Sequence, residues 1–405
     1  MKTIKDLNIK GKRVLVRVDF NVPRKGDTIT DDNRIVSALP TINYLLEKGA
    51  AVILFSHLGK IKHKLTPEEV EAAKKKNDMV VVARRLGELL GADKVSFSPD
   101  SSGDNVKKFV DMLRPGEVLL LQNTRYERGE EKNDAELAKE WASYADAFVM
   151  DAFGSAHRAH ASTYGVPETL KAQGKDVAVG FLVEKEIDAL SRCVDVKEEN
   201  RPYVAILGGF KVSDKIKVID SLLKKCDKIL IGGAMAYTFQ KALGYEIGVS
   251  PVEVDQLDYA KKCFEDAKGR IVLPVDSIYT DKFEGWTVKE VSKDANIPVG
   301  FEGMDIGPKT RELFTKELAG AKMVFWNGPM GVFEQADFAE GTKSVAKAIV
   351  ELPHAFTVIG GGDSAAAAAQ FGFKDEFSHV STGGGASLEM IENDGHLPGI
   401  DIIKE

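Results

Sequence analysis

Short apolar, β-branched runs alternate with longer helical stretches along all 405 residues of this chain. In the first half the runs are RVLVRVDF, AVILFS, KVSFS, VLLLQ and AFVMD. In the second they are YVAILGG, KILIGG, RIVLPVD, MVFWNG and FTVIGG. Helical patterns such as 66–90 and 337–350 lie between them. Such alternation predicts an α/β fold in which parallel sheets are covered by helices on both faces. Ten strands fit two sheets better than one, and at about 150 residues per domain the length predicts two or three domains. A charged segment, 182–202, separates the halves and is expected to hold a helix and a linker.

In open α/β sheets ligands sit at the carboxyl ends of the strands, so the residues that follow each run are informative. First-half runs exit into side-chain chemistry: DFNVP, SHLGK, QNTRYE and DAFGSAHRAH. Second-half runs exit into glycine: LGGFK, IGGAMA, WNGPMG and IGGGDS, with STGGGAS following. One half therefore reads as binding through guanidinium, imidazole, amide and carboxylate groups, the other through backbone N–H groups. Two ligands of different kinds follow, one per domain.

Glycine lets backbone approach a ligand closely, and a helix N-terminus aims free N–H groups at an anion. The glycine exits thus predict a site for a nucleotide or another extended phosphate compound. In TVIGGGDSAAAAA a helix is expected to start near Asp363. A carboxylate about 4 Å from a phosphate charge is repelled by about 4 kcal/mol at an effective dielectric of 20. A helix dipole returns only about 0.3–1 kcal/mol, so the pairing calls for a divalent cation, and Mg²⁺ held by one carboxylate plus phosphate oxygens is the expected one. Lys211 and Lys215, four apart in GGFKVSDKIKVID, are expected on one helical face in the first turns. There the dipole disfavours cations, which points to a phosphate partner. Neither a P-loop nor a dinucleotide-binding fingerprint occurs.

In the other half Arg34, His57, Lys60, Arg125 and Arg158 lie at or soon after strand ends. On a parallel sheet they converge on one edge and form a socket for a small, multiply charged anion. Asp19 and Asn21 add hydrogen bonds for a hydroxyl. The net charge of −7 offers no global attraction for nucleic acid or an anionic membrane, so any anion site is local. The three cysteines, Cys193, Cys226 and Cys263, form no C-x-x-C pair, and neither a disulfide framework nor a zinc site is expected. No apolar leader and no long apolar run occur, which reads as a cytoplasmic chain.

RVDFNVP, TDDNRIVSALPT, SHLGK, DAFGSAHRAH, GGFKVSDKI, DIGPKT, WNGPMGVFE, GGGDSAAA and STGGGASLE together resemble the phosphoglycerate kinase family, in the right order from about residue 13 to 390. The resemblance implies two Rossmann-like α/β/α domains joined by a hinge: 1–182, to which a C-terminal segment 391–405 returns, and 183–390. It implies a monomer that reversibly transfers a phosphoryl group from 1,3-bisphosphoglycerate to ADP, giving 3-phosphoglycerate and ATP. By motif match Asp19, Asn21, Arg34, His57, Arg125 and Arg158 would hold the glycerate, with Lys60 standing where arginine is usual. Arg34 and Lys215 would stabilise the phosphoryl group in flight. Lys211, Gly232, Gly233, Gly303, Asn327, Pro329, Glu334, Gly360, Gly361, Gly362, Asp363 and Ser364 would surround the nucleotide, with Asp363 holding Mg²⁺. Ser155 replaces a usual threonine, Phe210 a small alanine and Ala234 a glycine, the last two at positions similar to those lining the adenine pocket. The alternative is a Mg²⁺-dependent kinase acting on another small anionic acceptor.

Overall fold

The computed structural model describes residues 1–404. The chain separates into two compact units, Met1–Ile187 together with the stretch from His396 onward, and Asp188–Gly395.

The first unit is built on a six-stranded parallel sheet. From edge to edge its strands are Val95–Phe97, Val118–Leu120, Ala51–Phe55, Arg13–Val18, Ala147–Asp151 and Asp176–Val179. Every residue of Ala51–Phe55 and of Ala147–Asp151 is buried, which explains their unbroken apolar runs: both faces of the sheet are covered. Helix Asn33–Glu47 buries Ile35, Ala38, Ile42 and Leu45, a stripe at helical spacing. The pattern over 66–90 is two helices, Pro67–Lys76 and Val80–Leu90. Asn77 makes the break, its amide donating to Ala73 O at 2.9 Å and to Lys60 O at 3.3 Å. Helix Pro398–Lys404 belongs to this unit. It buries Ile400, Ile402 and Ile403, its Gly399 N–H donates to Ala156 O at 2.8 Å, and its Ile402 carbonyl accepts from Lys171 at 3.0 Å.

The second unit repeats the plan. Its parallel sheet runs Ile271–Val272, Lys228–Ile231, Tyr203–Leu207, Met323–Asn327, Phe356–Ile359 and His379–Val380. A second, antiparallel sheet places Ser277–Thr280 between Lys289–Val291 and Glu302–Ile306. The ten apolar runs all become strands. The two further parallel strands, Asp176–Val179 and His379–Val380, are short edge strands outside those ten runs. The segment after 181 is a fourteen-residue helix, Phe181–Val194, followed by the short turn Glu198–Asn200. Among the described residues no helix is long and apolar enough to cross a membrane.

Candidate active site

In the first unit the polar residues predicted from sequence follow the carboxyl ends of four strands. Asp19 comes just after Arg13–Val18, and its Oδ1 accepts the Asn21 N–H at 3.1 Å and Arg34 Nη1 at 3.2 Å. The same Arg34 nitrogen donates to Asn21 O at 2.8 Å. Arg34 is the second residue of its helix and is partly exposed. Asn21 reaches the next strand exit, where its Oδ1 accepts the Gly59 N–H at 2.8 Å. Arg125 donates to Gly59 O at 2.9 Å and pairs with Glu131 at 3.3 Å. Asp19, Asn21, Arg34 and Arg125 are thus one connected group. Lys60 and Arg125 line a basic cleft of about 630 Å³ with Lys62, Lys64, Arg128 and Lys132. Arg158 stands exposed on the turn after Phe153–Ser155, its carbonyl accepting from Thr163 Oγ1 at 2.6 Å.

His57 has a defined protonation state. Arg17 Nη2 lies 2.9 Å from its Nδ1. Arginine can only donate, so Nδ1 must accept and the ring proton sits on Nε2. Burial holds its pKa well below the usual value, and the guanidinium charges of Arg17, Arg125 and Arg34 push it the same way. His57 is therefore a neutral donor at physiological pH. Arg17 is buried and donates also to Ser162 Oγ at 2.9 Å and to Val18 O. Ser162 in turn donates through its hydroxyl to the buried Glu130 at 2.6 Å.

In the second unit Gly233, Gly303, Pro329, Glu334 and Asp363 line one cleft of about 260 Å³, together with Gly209, Phe210, Ala234 and Tyr237. The glycine exits do two different jobs. Gly208, Gly232, Gly233 and Gly360 spend their N–H groups on neighbouring carbonyls, from 2.8 to 3.2 Å away, and Gly303 donates to Ser250 Oγ at 2.9 Å. These glycines allow close packing: a Cβ on Gly233, at φ +68°, would lie 2.7 Å from both Gly209 N and Pro329 O. They supply surface, and the N–H groups they were expected to offer are already used. The N–H cradle lies instead at helix Gly362–Gln370, whose N-cap Gly361 provides no side-chain cap. Asp363 is the second residue of that helix, exposed on the cleft. Ser364 is buried beneath it, its Oγ accepting the Gly328 N–H at 2.7 Å. The Asn327 amide donates to Gly360 O.

Lys211 and Lys215 do not share a helical face. The helix is Ile216–Lys225, with Lys215 as N-cap and Lys211 exposed in the preceding turn. Glu253 holds that turn out of the helix, accepting from the Ser213 N–H at 3.2 Å and the Ser213 hydroxyl at 2.6 Å. Lys215 folds back to donate to Gly208 O. Burial lowers its pKa to about 8, partly opposed by the Asp363 and Asp214 carboxylates. The Asp363 carboxylate is thus close enough for its charge to act on the Lys215 ammonium.

A phosphoglycerate kinase family model matches residues 4–394. This chain belongs to the phosphoglycerate kinase family. It is 53% identical to the phosphoglycerate kinase of Enterococcus faecalis, covering 100% of this chain and 99% of that protein. It is 54% identical to that of Thermosipho africanus, covering 98% and 96%. Among solved structures, phosphoglycerate kinase from Coxiella burnetii matches at a TM-score of 0.86 and 38% identity over 99% of this chain and 98% of that one. That of Pyrococcus horikoshii matches at 0.83 and 33%, over 100% and 98%.

In this member of the phosphoglycerate kinase family, sequence reasoning missed the apolar lining of the cleft: Tyr237, Met304, Met330 and Val332. Met330 and Val332 lie in or beside the exit WNGPMG, but the signal read there was its asparagine and glycines. It also missed Arg17 and Glu130. Arg17 did leave a signal, a charge set within the buried apolar run Val14–Val18.

Proposed function

We propose that this chain catalyses reversible phosphoryl transfer between 1,3-bisphosphoglycerate and ADP, yielding 3-phosphoglycerate and ATP. In this reading the first unit holds the glycerate and the second holds the nucleotide. The observation that carries it is the exposed Asp363 on the cleft, at a helix N-terminus that no side chain caps. A triphosphate brings anionic oxygens to that N-terminus. A single carboxylate with phosphate oxygens is the donor set Mg²⁺ takes, so the residues present fit the ion, with Asp363 as its protein ligand. When bound, the ion neutralises charge on the phosphates.

The glycerate would lie among Asp19, Asn21, Arg34, His57, Arg125 and Arg158, with Lys60 at the rim. The acceptor is a carboxylate, ordinarily ionised above about pH 4, so no general base is required. Positioning and charge stabilisation remain. Arg34 and Lys215 supply the positive charge, and His57 supplies a neutral Nε2–H donor. Phe210, Ala234 and Tyr237 would face the base. In this reading the chain works as a monomer, as the family resemblance implies. The three free, buried cysteines suit a reducing cytoplasm.

The test is a coupled assay with ATP, Mg²⁺ and 3-phosphoglycerate, with acyl phosphate detected. Arg34→Ala should lower kcat on the order of a hundredfold, as losing one donor to transition-state charge does. Failure to form acyl phosphate, with turnover of a different small anionic acceptor, would transfer the reading to that acceptor.

A further inference from the structure

We propose that Asp305 is a positioning residue that fixes the separation of the two walls of the cleft in the second unit. The inference rests on reading that cleft as the nucleotide site. One wall is strand Glu302–Ile306, which contributes Glu302, Gly303 and Met304 to the lining. The other is the segment after strand Met323–Asn327, which contributes Pro329, Met330, Gly331, Val332 and Glu334. Asp305 follows the lining residues of the first wall but does not itself line the cleft, and it is only 1% exposed.

Its carboxylate is seated between the walls. Oδ1 accepts the N–H of Ile306 at 2.8 Å, and Oδ2 accepts the N–H of Gly341 at 2.8 Å. Gly341 is the second residue of helix Glu340–Val350, whose own N-cap, Ala339, makes no side-chain cap bond. Asp305 thus caps, from another element, the helix into which the second wall runs. Two glycines make room for it. A Cβ on Gly331 would come within 2.4 Å of Oδ1, and one on Gly341 within 2.1 Å. The walls then meet directly, the Val332 N–H donating to Met304 O at 2.9 Å. Met330 is tied to the same helix, its N–H donating to Thr342 Oγ1 at 3.1 Å. A buried carboxylate is costly to keep. A small apolar residue would pack here without that cost, but it would leave both N–H groups unpaired and the walls unregistered.

Steady-state kinetics and amide exchange on full-length Asp305→Asn provide the test. Asparagine keeps the shape but turns one oxygen into an NH₂ facing a backbone N–H. The KM for ATP should rise about tenfold while the KM for 3-phosphoglycerate is unchanged, and the Val332 amide should exchange faster with solvent. A role in global stability alone would lower the unfolding midpoint without separating the two KM values. Equal changes in both KM values, or none, would overturn the proposal. Should this variant fail to fold, Gly341→Ala displaces the same carboxylate from the other side and should give the same selective rise. Calorimetric titration with ADP keeps the two readings apart. If wild-type protein does not protect 302–306 and 329–334 from exchange when ADP binds, the assignment of the cleft is wrong. If it does, and the Asn variant binds ADP equally well, only the role of Asp305 is lost.

Discussion

A single hydrogen bond decides how His57 can act. Because Arg17 occupies Nδ1, the imidazole has one hydrogen-bonding face left and presents a proton on it. Its lowered pKa keeps the ring neutral as pH falls through the ordinary histidine range, so His57 should add no acidic limb to the rate of transfer, whereas loss of the Lys215 proton near pH 8 should lower the rate on the alkaline side. A pH–rate profile of wild type and His57→Gln would check this: the two should run parallel, and an acidic limb present only in the wild type would show that the ring titrates. Phe210 is the other residue whose role turns on geometry. It lines the cleft yet remains 66% exposed, so it forms a wall and does not fill the space. Stacking against a flat base is worth about 0.5–1.5 kcal/mol, so Phe210→Ala should raise the KM for ATP several-fold. A lowered KM would mean the ring obstructs the site.

At the scale of elements, the start of helix Phe181–Val194 is held by strand Ala147–Asp151. Asp151 Oδ1 accepts the Leu182 N–H at 3.1 Å, and Thr41 Oγ1 accepts the Phe181 N–H at 3.1 Å. A Cβ on the intervening Gly180 would lie 2.2 Å from the same carboxylate oxygen. Burial raises the Asp151 pKa from 3.8 to about 7, against the hydrogen bonds from Thr41, Val183 and Leu182. The folded chain therefore binds this proton more tightly than the unfolded chain does. Stability is greatest below pH 3.8 for this group, falls as pH rises, and levels off above about 7. Each pH unit in that window is worth about 1.4 kcal/mol. Urea unfolding at pH 5 and pH 8 should show a smaller pH-dependent loss for Asp151→Asn than for wild type. The loss should not vanish, because Asp305 is also raised to about 7 by burial. These capping roles were illegible in the sequence, since each joins residues far apart in the chain. The strands were legible, because a two-faced buried sheet writes itself as a continuous apolar run. The helix start at Gly362 was legible too, from the alanines that follow it. The start at Ile216 was misplaced because Glu253, forty residues away, holds the preceding turn open.

At the scale of the molecule, each unit assembles its own set of strand exits, and their contrast was visible in sequence as side chains against glycine. What glycine does at each exit was not visible. Whether an N–H is free or already bonded to a neighbouring carbonyl depends on which strands lie side by side. A division of ligands between the units predicts distinct protection patterns: 3-phosphoglycerate should slow amide exchange around Arg13–Val18 and Ala51–Phe55, and ADP around Phe356–Ile359 and Gly362–Gln370. Ligand at a hundred times its Kd stabilises the binding unit by about 2.7 kcal/mol, enough to be read segment by segment. The first unit also takes its closing helix, Pro398–Lys404, from the far end of the chain. During synthesis on the ribosome, the half that emerges first must wait for the half that emerges last. Its sheet can form early, but the seat at Ala156 stays open until Pro398–Lys404 has been translated.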